Sequence, residues 1–193
     1  MIQSFINQQL LDFNSAMKEK KIGNSIIRLV QGDITNQSTD AIVNAANTRL
    51  APGGGVAGAI HRAAGPKLWE ECKTLNGCNT GEAKITKGYN LKAKFVIHTV
   101  GPVYSESKHD KTHLASSYKN SLKLALDYNL KSISFPAISA GAFGYPLNDA
   151  ARIALETVIS FLQKEKRSLL VQFVLYDTHT LDVFEQVFDE INP

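Results

Sequence analysis

The fold of this chain is decided by one short stretch, Pro52–Gly53–Gly54–Gly55–Val56–Ala57–Gly58–Ala59–Ile60–His61. Three consecutive glycines end a loop, and an alanine-rich, helix-competent run begins directly after them. A helix that starts there directs its unpaired N–H groups and the positive end of its dipole at an anion, and glycine lets a phosphate approach the main chain closely. The stretch predicts a phosphate over Gly54 to Gly58, although an irregular surface loop has the same composition.

The composition is that of a soluble globular domain. The chain has 193 residues, of which 44% are hydrophobic and 20% are charged. The net charge of +3 is too small to indicate nucleic-acid binding but is compatible with an anionic ligand. Cys72 and Cys78 fit no zinc spacing and indicate free thiols in a reducing compartment. No apolar run approaches the ~20 residues of a membrane span, and the N-terminus lacks the pattern of a secretion signal. We expect a cytoplasmic monomer whose partners include neither a membrane nor a specific nucleic acid.

Helical and strand patterns alternate along the chain. Apolar positions from Ile2 to Met17 have helical spacing, and the polar run Lys18–Lys21 with Gly23 is expected to end that helix. Residues 1–23 are therefore predicted to be an N-terminal helical extension packed on the domain, and residues 24–193 the domain itself.

Six strands and five helices are predicted within the domain. The predicted strands are 25–30, 40–47, 83–87, 95–100, 132–138 and 169–176. The predicted helices are 56–64, 67–73, 114–128, 148–163 and 181–191, with Asn148 or Asp149 as the N-cap of the fourth. Strands that alternate with helices form a largely parallel sheet with both faces covered.

A second small-residue loop, residues 139–146, follows the strand 132–138. In an open α/β sheet, loops after strand ends meet at one edge, where ligands bind. Two such loops could hold a diphosphate from both sides. Asn47, at the end of the strand 40–47, either forms a turn or points its amide into the same crevice.

Other ligand signatures fit poorly. Gly53, Gly55 and Gly58 satisfy GxGxxG, but they follow the second strand and no acidic strand end lies about 20 residues further on. The chain has no Walker A sequence and no GxSxG nucleophile motif. His109 and His113 have HxxxH spacing in a polar stretch without the HExxH glutamate. No metal site is predicted.

Together, the motifs resemble the macro domain family, and within it the MacroD-type ADP-ribose-binding hydrolases. The resemblance extends in order from about residue 26 to residue 177. The matching segments are Gly32–Asp33–Ile34–Thr35, residues 40–47, Gly53–Gly54–Gly55–Val56, residues 59–66, Thr80–Gly81–Glu82–Ala83, His98–Thr99–Val100–Gly101–Pro102 and residues 139–146. The resemblance implies a three-layer α/β/α fold with a central mixed, largely parallel sheet and ADP-ribose across its crest, without a cofactor.

The resemblance also implies roles for individual residues. Asp33 would accept a hydrogen bond from the adenine amino group beside the Ile34 backbone, unless it is a plain turn aspartate. Tyr176 would flank the adenine or be a core aromatic residue. Asn47 would hydrogen-bond the distal ribose, and Phe143 would pack near it. The backbone N–H groups expected to hold the diphosphate are those of Gly53, Gly54, Gly55, Val56, Ser139, Ala140, Gly141, Ala142 and Phe143. The residues interpreted as structural are Asn44, His61, Cys72 and Cys78.

The chemistry implied is hydrolysis of the bond between ADP-ribose and an acidic side chain, or of the ester in O-acetyl-ADP-ribose. The partners implied are ADP-ribose, mono-ADP-ribosylated proteins and O-acetyl-ADP-ribose. One position departs from the MacroD pattern, because Ala57 stands where a water-activating aspartate is expected. Three explanations stay open: a hydrolase that needs no aspartate there, a non-catalytic ADP-ribose reader, or an alanine introduced by engineering. A nucleotide-binding structural protein or a phosphatase is a third functional class.

Overall fold

The computed structural model describes residues 18–191, so the helix predicted over residues 2–17 lies outside the described residues. The strands are β1 (Lys18–Ile22), β2 (Ser25–Gln31), β3 (Ala41–Ala45), β4 (Ala83–Lys87), β5 (Phe95–Thr99), β6 (Ser132–Phe135) and β7 (Leu170–Leu175). The α-helices are α1 (Gly55–Ala64), α2 (Pro66–Thr74), α3 (Lys108–Asp127), α4 (Leu147–Lys164) and α5 (Thr178–Glu190), and a short 3-10 helix covers Ile34–Asn36.

The strands form one mixed sheet in the order β1-β2-β7-β6-β3-β5-β4. The five inner strands are parallel, and the edge strands β1 and β4 are antiparallel to their neighbours. Strand β7 has a near-continuous apolar run because both of its faces are covered. The predicted largely parallel sheet is confirmed.

Helices cover both faces of this sheet. On one face, Ile133 and Phe173 belong to a large apolar cluster that includes residues of α3, α4 and α5. On the other face, Ile42 and Val96 belong to a smaller cluster with residues of α1 and α2. The structure therefore has the three α/β/α layers that the resemblance implied. Within residues 18–191, no helix has both the length and the apolar character needed to cross a bilayer.

The start of the sheet corrects one prediction. Residues 18–22, assigned from sequence to a helical extension that ended at residue 23, form strand β1 and pair with β2. Lys18 and Lys20 turn inward, and the ammonium group of Lys20 lies 4.6 Å from the ring centre of Phe188 in α5. Glu19 and Lys21 face solvent. Charged side chains on both faces suit an edge strand, where they oppose pairing with another chain. Because β1 is part of the sheet, the domain begins no later than Lys18.

All five helices begin before the predicted residues, and the difference is largest for α3 and α5, whose first turns are polar. Helix α3 begins at Lys108 rather than residue 114, and a capping box lies at its start. The Ser107 hydroxyl accepts a hydrogen bond from the His109 amide, and the Asp110 carboxylate accepts one from the Ser107 amide. Helix α5 begins at Thr178 rather than residue 181, and the Asp177 carboxylate accepts a bond from the Thr180 amide. Helix α4 begins at Leu147.

The N-cap of α4 was predicted wrongly. Pro146 occupies the N-cap position, and its carbonyl accepts a hydrogen bond from the Ala150 amide at 2.9 Å. Asn148 and Asp149 lie inside the first turn instead, where the Asp149 carboxylate still interacts favourably with the helix dipole.

Two strands end at least two residues earlier than predicted. Strand β3 ends at Ala45, so Asn47 already belongs to the following loop. Strand β6 ends at Phe135 because Pro136 has no N–H group to donate to a neighbouring strand. Both early ends lengthen the loops at the carboxyl edge of the sheet.

Candidate functional site

The two glycine-containing loops lie at the same edge of the sheet. The first follows β3 and the second follows β6, and these two strands are parallel neighbours, with Ala41 opposite Ile133. Their carboxyl ends therefore point the same way, which confirms the predicted placement of the loops. Ligands of open α/β sheets bind at this edge.

Asn47 holds the first loop in shape. Its Oδ1 atom accepts hydrogen bonds from the backbone amides of Arg49 and Ala51, both at 3.1 Å, and its Nδ2 atom donates to the Ala51 carbonyl at 2.8 Å. One Nδ2 hydrogen is left by these bonds. A Cβ atom placed on Gly53 would lie 3.5 Å from the same nitrogen, so Asn47 adjoins the glycines. Asn47 therefore forms a turn, which is one of the two roles that the sequence allowed. Its contact with a ribose stays a prediction.

Helix α1 begins at the glycines, and within residues 18–191 its first amides have no hydrogen-bond partner. Gly54 is the N-cap, and the first amide of the helix to be paired is that of Gly58, which donates to the Gly54 carbonyl at 3.1 Å. The amides of residues 55–57 have no partner within the helix, as at every helix start. A Cβ atom on Gly54 or Gly55 would meet no atom of the described residues within 4 Å, so packing does not demand glycine there. The open backbone suits the close approach of an anion.

Gly58 has a different, structural reason to be glycine. A Cβ atom on Gly58 would lie 2.3 Å from the Gly53 carbonyl oxygen, far inside van der Waals contact. The first loop therefore packs directly on the second turn of α1. Gly53 and Gly58 together set the position of the loop relative to the helix.

Ala57 and His61 lie one turn apart on the buried side of α1. A Cβ atom on Gly53 would lie 4.0 Å from the Ala57 methyl group, so this methyl lies under the first loop, where it offers no proton acceptor. His61 is 7% exposed, and within residues 18–191 neither of its ring nitrogens finds a hydrogen-bond partner. Burial lowers the pKa of His61, which keeps the ring neutral.

The second loop contains a strained serine. Ser139 is buried with a φ of +65°, and its hydroxyl group has no partner in the described part of the chain. The loop is closed by two hydrogen bonds, from the Tyr145 amide to the Ser139 carbonyl at 3.0 Å and from the Gly144 amide to the Gly141 carbonyl at 2.9 Å. A Cβ atom on Gly101 would lie 2.2 Å from the Ser139 Oγ atom, which explains the glycine after β5. Strain of this kind concentrates at ligand sites.

The far end of the second loop forms a partly apolar wall. The Phe143 carbonyl accepts a hydrogen bond from the Tyr104 amide at 2.8 Å, which ties the loop to the segment after β5. The rings of Tyr104 and Tyr145 have centroids 4.9 Å apart. Phe143 and Ala140 are half-buried, whereas Gly141 and Ala142 are exposed. The exposed part of the loop faces solvent with little side chain to cover its backbone.

Asp33 lies at the other end of the same sheet edge. Its Oδ1 atom accepts hydrogen bonds from the Thr35 amide and the Thr35 hydroxyl, both at 2.8 Å, so Asp33 caps the 3-10 helix that begins at the buried residue Ile34. No hydrogen bond of the described residues reaches Oδ2, which can accept a further donor. Asp33 is therefore a turn aspartate with one oxygen to spare, which combines the two readings of the sequence.

Tyr176 lies beside Asp33 in the structure. The Gly32 amide donates to the Leu175 carbonyl at 2.9 Å, and Tyr176 directly follows β7. Its side chain is 80% exposed, so the alternative that it is a core aromatic residue is wrong. Its expected place beside an adenine stays a prediction.

A buried polar cluster lies beneath α1, at the level of β3 and β5. The His98 ring contacts the Asn44 amide at 3.1 Å through Nδ1 and the Thr86 hydroxyl at 2.9 Å through Nε2. The Cys72 sulfur lies 3.6 Å from the same Nε2 atom. Burial, reinforced by His61, lowers the pKa of His98 to about 3, so the ring is neutral. These contacts agree with a structural interpretation of Asn44 and Cys72.

The HxxxH pair, His109 and His113, has no third metal-ligand candidate grouped with it in the described part of the chain. The rings of His109 and His113 have centroids 6.3 Å apart on α3. Across residues 18–191, no group of three or more His, Cys, Asp or Glu side chains is arranged to hold a metal ion. Cys72 and Cys78 are free thiols, as expected.

Known proteins share both the sequence and the fold. The family model described as Macro domain matches residues 43–154. A macro domain-containing protein of Chlorobaculum tepidum is 54% identical over 164 residues, which cover 84% of this chain and 95% of that protein. The ADP-ribose glycohydrolase MACROD2 of Homo sapiens is 55% identical over 141 residues, which cover 72% of this chain but only 33% of that protein.

A solved structure agrees with the fold. The macrodomain of Oceanobacillus iheyensis, solved with ADP, superimposes with a TM-score of 0.88 at 41% identity, covering 91% of this chain and 96% of that one. With identities above 50% to relatives over most of its length, the chain belongs to the macro domain family.

Proposed function

We propose that this protein binds ADP-ribose along the carboxyl edge of its sheet. In this proposal Asp33 and Tyr176 hold the adenine, the two loops hold the diphosphate, and Asn47 and Phe143 flank the distal ribose. The observation that carries the proposal is the start of α1, whose free amides lie on the same sheet edge as the exposed backbone of Gly141 and Ala142. Similarity to the ADP-ribose glycohydrolase MACROD2 and to a macrodomain solved with ADP supports it.

The diphosphate is the part of the ligand that this site suits best. The amides of residues 55–57 are unpaired within α1, and the helix dipole adds positive potential at the same point. A bond from a backbone amide to a phosphate oxygen is charge-assisted and stronger than a neutral one. Because Gly54, Gly55 and Gly141 carry no side chain, the phosphates reach these amides without obstruction.

The activity that we propose is hydrolysis of the bond between mono-ADP-ribose and an acidic protein side chain, and of the ester in O-acetyl-ADP-ribose. For the protein substrate, water attacks the anomeric carbon of the distal ribose, the bond from that carbon to the protein carboxylate breaks, and the proton of the water passes to an oxygen of the substrate's own diphosphate. For O-acetyl-ADP-ribose, water attacks the acetyl carbonyl carbon, the bond to the ribose oxygen breaks, and the proton passes to that oxygen. Asn47 orients the ribose, and the loop amides stabilise the developing charge. Neither a metal ion nor a redox cofactor takes part in this scheme.

A second candidate function is that of a non-catalytic reader of ADP-ribosylated proteins. The observation that favours it is Ala57, whose buried methyl group occupies the position of the family's water-activating carboxylate. The reader and the hydrolase use the same binding site and differ only in turnover. We place the hydrolase first because Asn47 and both phosphate loops are retained.

Calorimetric titration with ADP-ribose tests the binding proposal, with ATP and NAD as competing nucleotides. We expect the unmodified protein to bind ADP-ribose most tightly and Asp33→Ala to weaken this binding at least ten-fold. The matched control is Asp127→Ala, which removes an exposed carboxylate from the C-terminal end of α3, before β6 begins and therefore at the opposite edge of the sheet. Absence of ADP-ribose binding by the unmodified protein would refute both candidate functions.

A turnover assay on a mono-ADP-ribosylated acidic protein then separates the two candidates. A hydrolase releases ADP-ribose under multiple-turnover conditions, and Asn47→Ala slows the release. Ala57→Asp restores the family's carboxylate, and a rise in rate of orders of magnitude would show that the site lacked only that group. Tight binding without release by the unmodified protein would leave the reader function alone standing.

A further inference from the structure

A hydrogen-bonded network of buried and half-buried polar side chains lies behind the Asp33 loop. Gln172 on β7 is 7% exposed, and its Nε2 atom donates to the Gln37 Oε1 atom at 2.7 Å. The Gln37 Nε2 atom in turn donates to the Asp33 carbonyl at 3.0 Å. On its other side, the Gln172 nitrogen lies 3.5 Å from the Ser134 hydroxyl of β6. The interior of the sheet is thus linked to the backbone of Asp33 through two side-chain amides.

The donor and the acceptor of each hydrogen bond in this network can be assigned. The Thr39 hydroxyl donates to the Ala41 carbonyl at 2.9 Å, so in its 2.8 Å contact with Ser134 it accepts. Ser134 has then given its hydrogen to Thr39, and it accepts from Gln172. Both Nε2 hydrogens of Gln172 are used, one toward Ser134 and one toward Gln37. The NH₂ group of Gln172 therefore holds the Gln37 amide in the orientation that donates to Asp33.

Packing alone does not call for a glutamine at this place. The next residue of β7 on the same face is Val174, which joins the apolar cluster beneath α1. A buried amide costs free energy unless its hydrogen bonds are made, and one of those bonds goes to the loop that carries Asp33. The Asp33 carboxylate is fixed by Thr35, and its backbone is fixed by Gln37. Asp33 is thus held from both sides with Oδ2 left open.

We propose that Gln172 is a positioning residue for purine recognition: acting through Gln37, it holds Asp33 so that the open carboxylate oxygen accepts the 6-amino group of adenine and disfavours a 6-oxo purine. This inference rests on the proposed binding of ADP-ribose. It assigns base selectivity to a residue that lies within the sheet and does not itself touch the base.

The test compares ADP-ribose with inosine diphosphate ribose, which carries a 6-oxo group, by calorimetric titration. The unmodified protein prefers ADP-ribose. Gln172→Met removes the donor at similar volume, and we expect it to weaken ADP-ribose binding about five-fold, the order expected for one hydrogen bond, with the inosine ligand unchanged. Gln172→Glu places an acceptor opposite the Gln37 Oε1 atom, and this turns the Gln37 amide away from its bond to Asp33. We expect it to lower the preference for ADP-ribose over inosine diphosphate ribose further.

Three further variants keep the test independent of folding. Gln37→Met changes a half-buried residue and should reduce the preference as much as Gln172→Met. The double variant should reduce it no further, because both residues act through one path. Gln186→Met on the exposed side of α5 is the matched control and leaves the preference unchanged.

The outcomes separate this inference from the function on which it rests. If the unmodified protein binds no ADP-ribose, the proposed function and the inference both fail. If it binds ADP-ribose but Gln172→Met and Gln37→Met keep the preference within two-fold of the unmodified value, the inference alone fails. Additive losses in the double variant would also overturn it.

Discussion

The glycines of the two loops have different reasons to be glycine, and alanine substitution separates them. In Gly58→Ala the new methyl group would lie 2.3 Å from the Gly53 carbonyl oxygen, so the loop or the helix must move. In Gly141→Ala the methyl group would meet no atom of the described residues within 4 Å, and the backbone there has no positive φ that forbids a side chain. The first change strains the packing of the first loop on α1, and the second alters only the surface offered to a ligand.

The expected magnitudes follow from this geometry. Overpacking in Gly58→Ala costs about 2–3 kcal/mol, the upper part of the usual range, because the new methyl group would meet a backbone atom. Better helix propensity returns about 1 kcal/mol. The net loss of about 1–2 kcal/mol lowers the melting temperature by roughly 2–8 °C for a chain of this size. Gly141→Ala leaves the melting temperature within about 2 °C, because it removes chain entropy without strain. It weakens ADP-ribose binding roughly 10- to 100-fold if it displaces one charge-assisted bond to the diphosphate.

The melting temperature is measured by scanning calorimetry and the ADP-ribose affinity by titration calorimetry, for both variants and for the unmodified protein. Gly58→Ala should lose stability, and Gly141→Ala should lose affinity at unchanged stability. A Gly141→Ala variant that binds ADP-ribose as tightly as the unmodified protein would refute the placement of the diphosphate against the second loop. A Gly58→Ala variant with an unchanged melting temperature would refute the packing argument.

Three further predictions concern buried groups. Ser139→Gly relieves a positive φ and removes a buried hydroxyl that lacks a partner in the described residues, so urea unfolding should show a gain of about 1 kcal/mol; a loss would contradict the strain. His98 has a folded-state pKa of about 3 against 6.5 when unfolded, so its contribution to stability is complete above pH 6.5 and declines toward pH 3. Below pH 6.5, His98 lowers the unfolding free energy by about 1.4 kcal/mol per pH unit. In His98→Gln the unfolding free energy should therefore fall less steeply between pH 7 and pH 5 than in the unmodified protein. Equal slopes in the two proteins would count against a neutral buried ring. Burial raises the pKa values of Cys72 and Cys78 to about 11, so a disulfide reagent at pH 8 should label neither thiol until the protein unfolds, and rapid labelling would contradict their placement.

Elements with a strong local pattern could be predicted from the sequence. The apolar runs of β2, β5 and β7 and the stripe of α4 identify themselves because their periodicity is set by burial. The two loops at one sheet edge also follow from sequence, since parallel strands place their carboxyl ends together. Element boundaries were less predictable, because the first turns of α3 and α5 are polar and depend on capping side chains rather than on an apolar stripe.

Features that depend on distant partners could not be predicted. Strand β1 has a helix-ending composition, and it is a strand because β2 and the Phe188 ring of α5 offer it a place. The exposure of Tyr176 was undecided, because a strand-end aromatic residue packs inward or outward according to its neighbours. The bond between Gln172 and Gln37 joins residues 135 positions apart and leaves no local signature.

By itself, the sequence determined the α/β class and the order of the inner strands and helices. Its ordered motifs also indicated the macro domain family, and it showed that position 57 has no carboxylate. These are properties of short segments, in which periodicity, glycine and proline act through the local backbone. Only the tertiary structure decided which glycines serve packing and which leave an open surface, and it alone joined Gln172 to Asp33. Contacts between segments depend on how the whole chain packs, and no local pattern encodes a distance between two side chains.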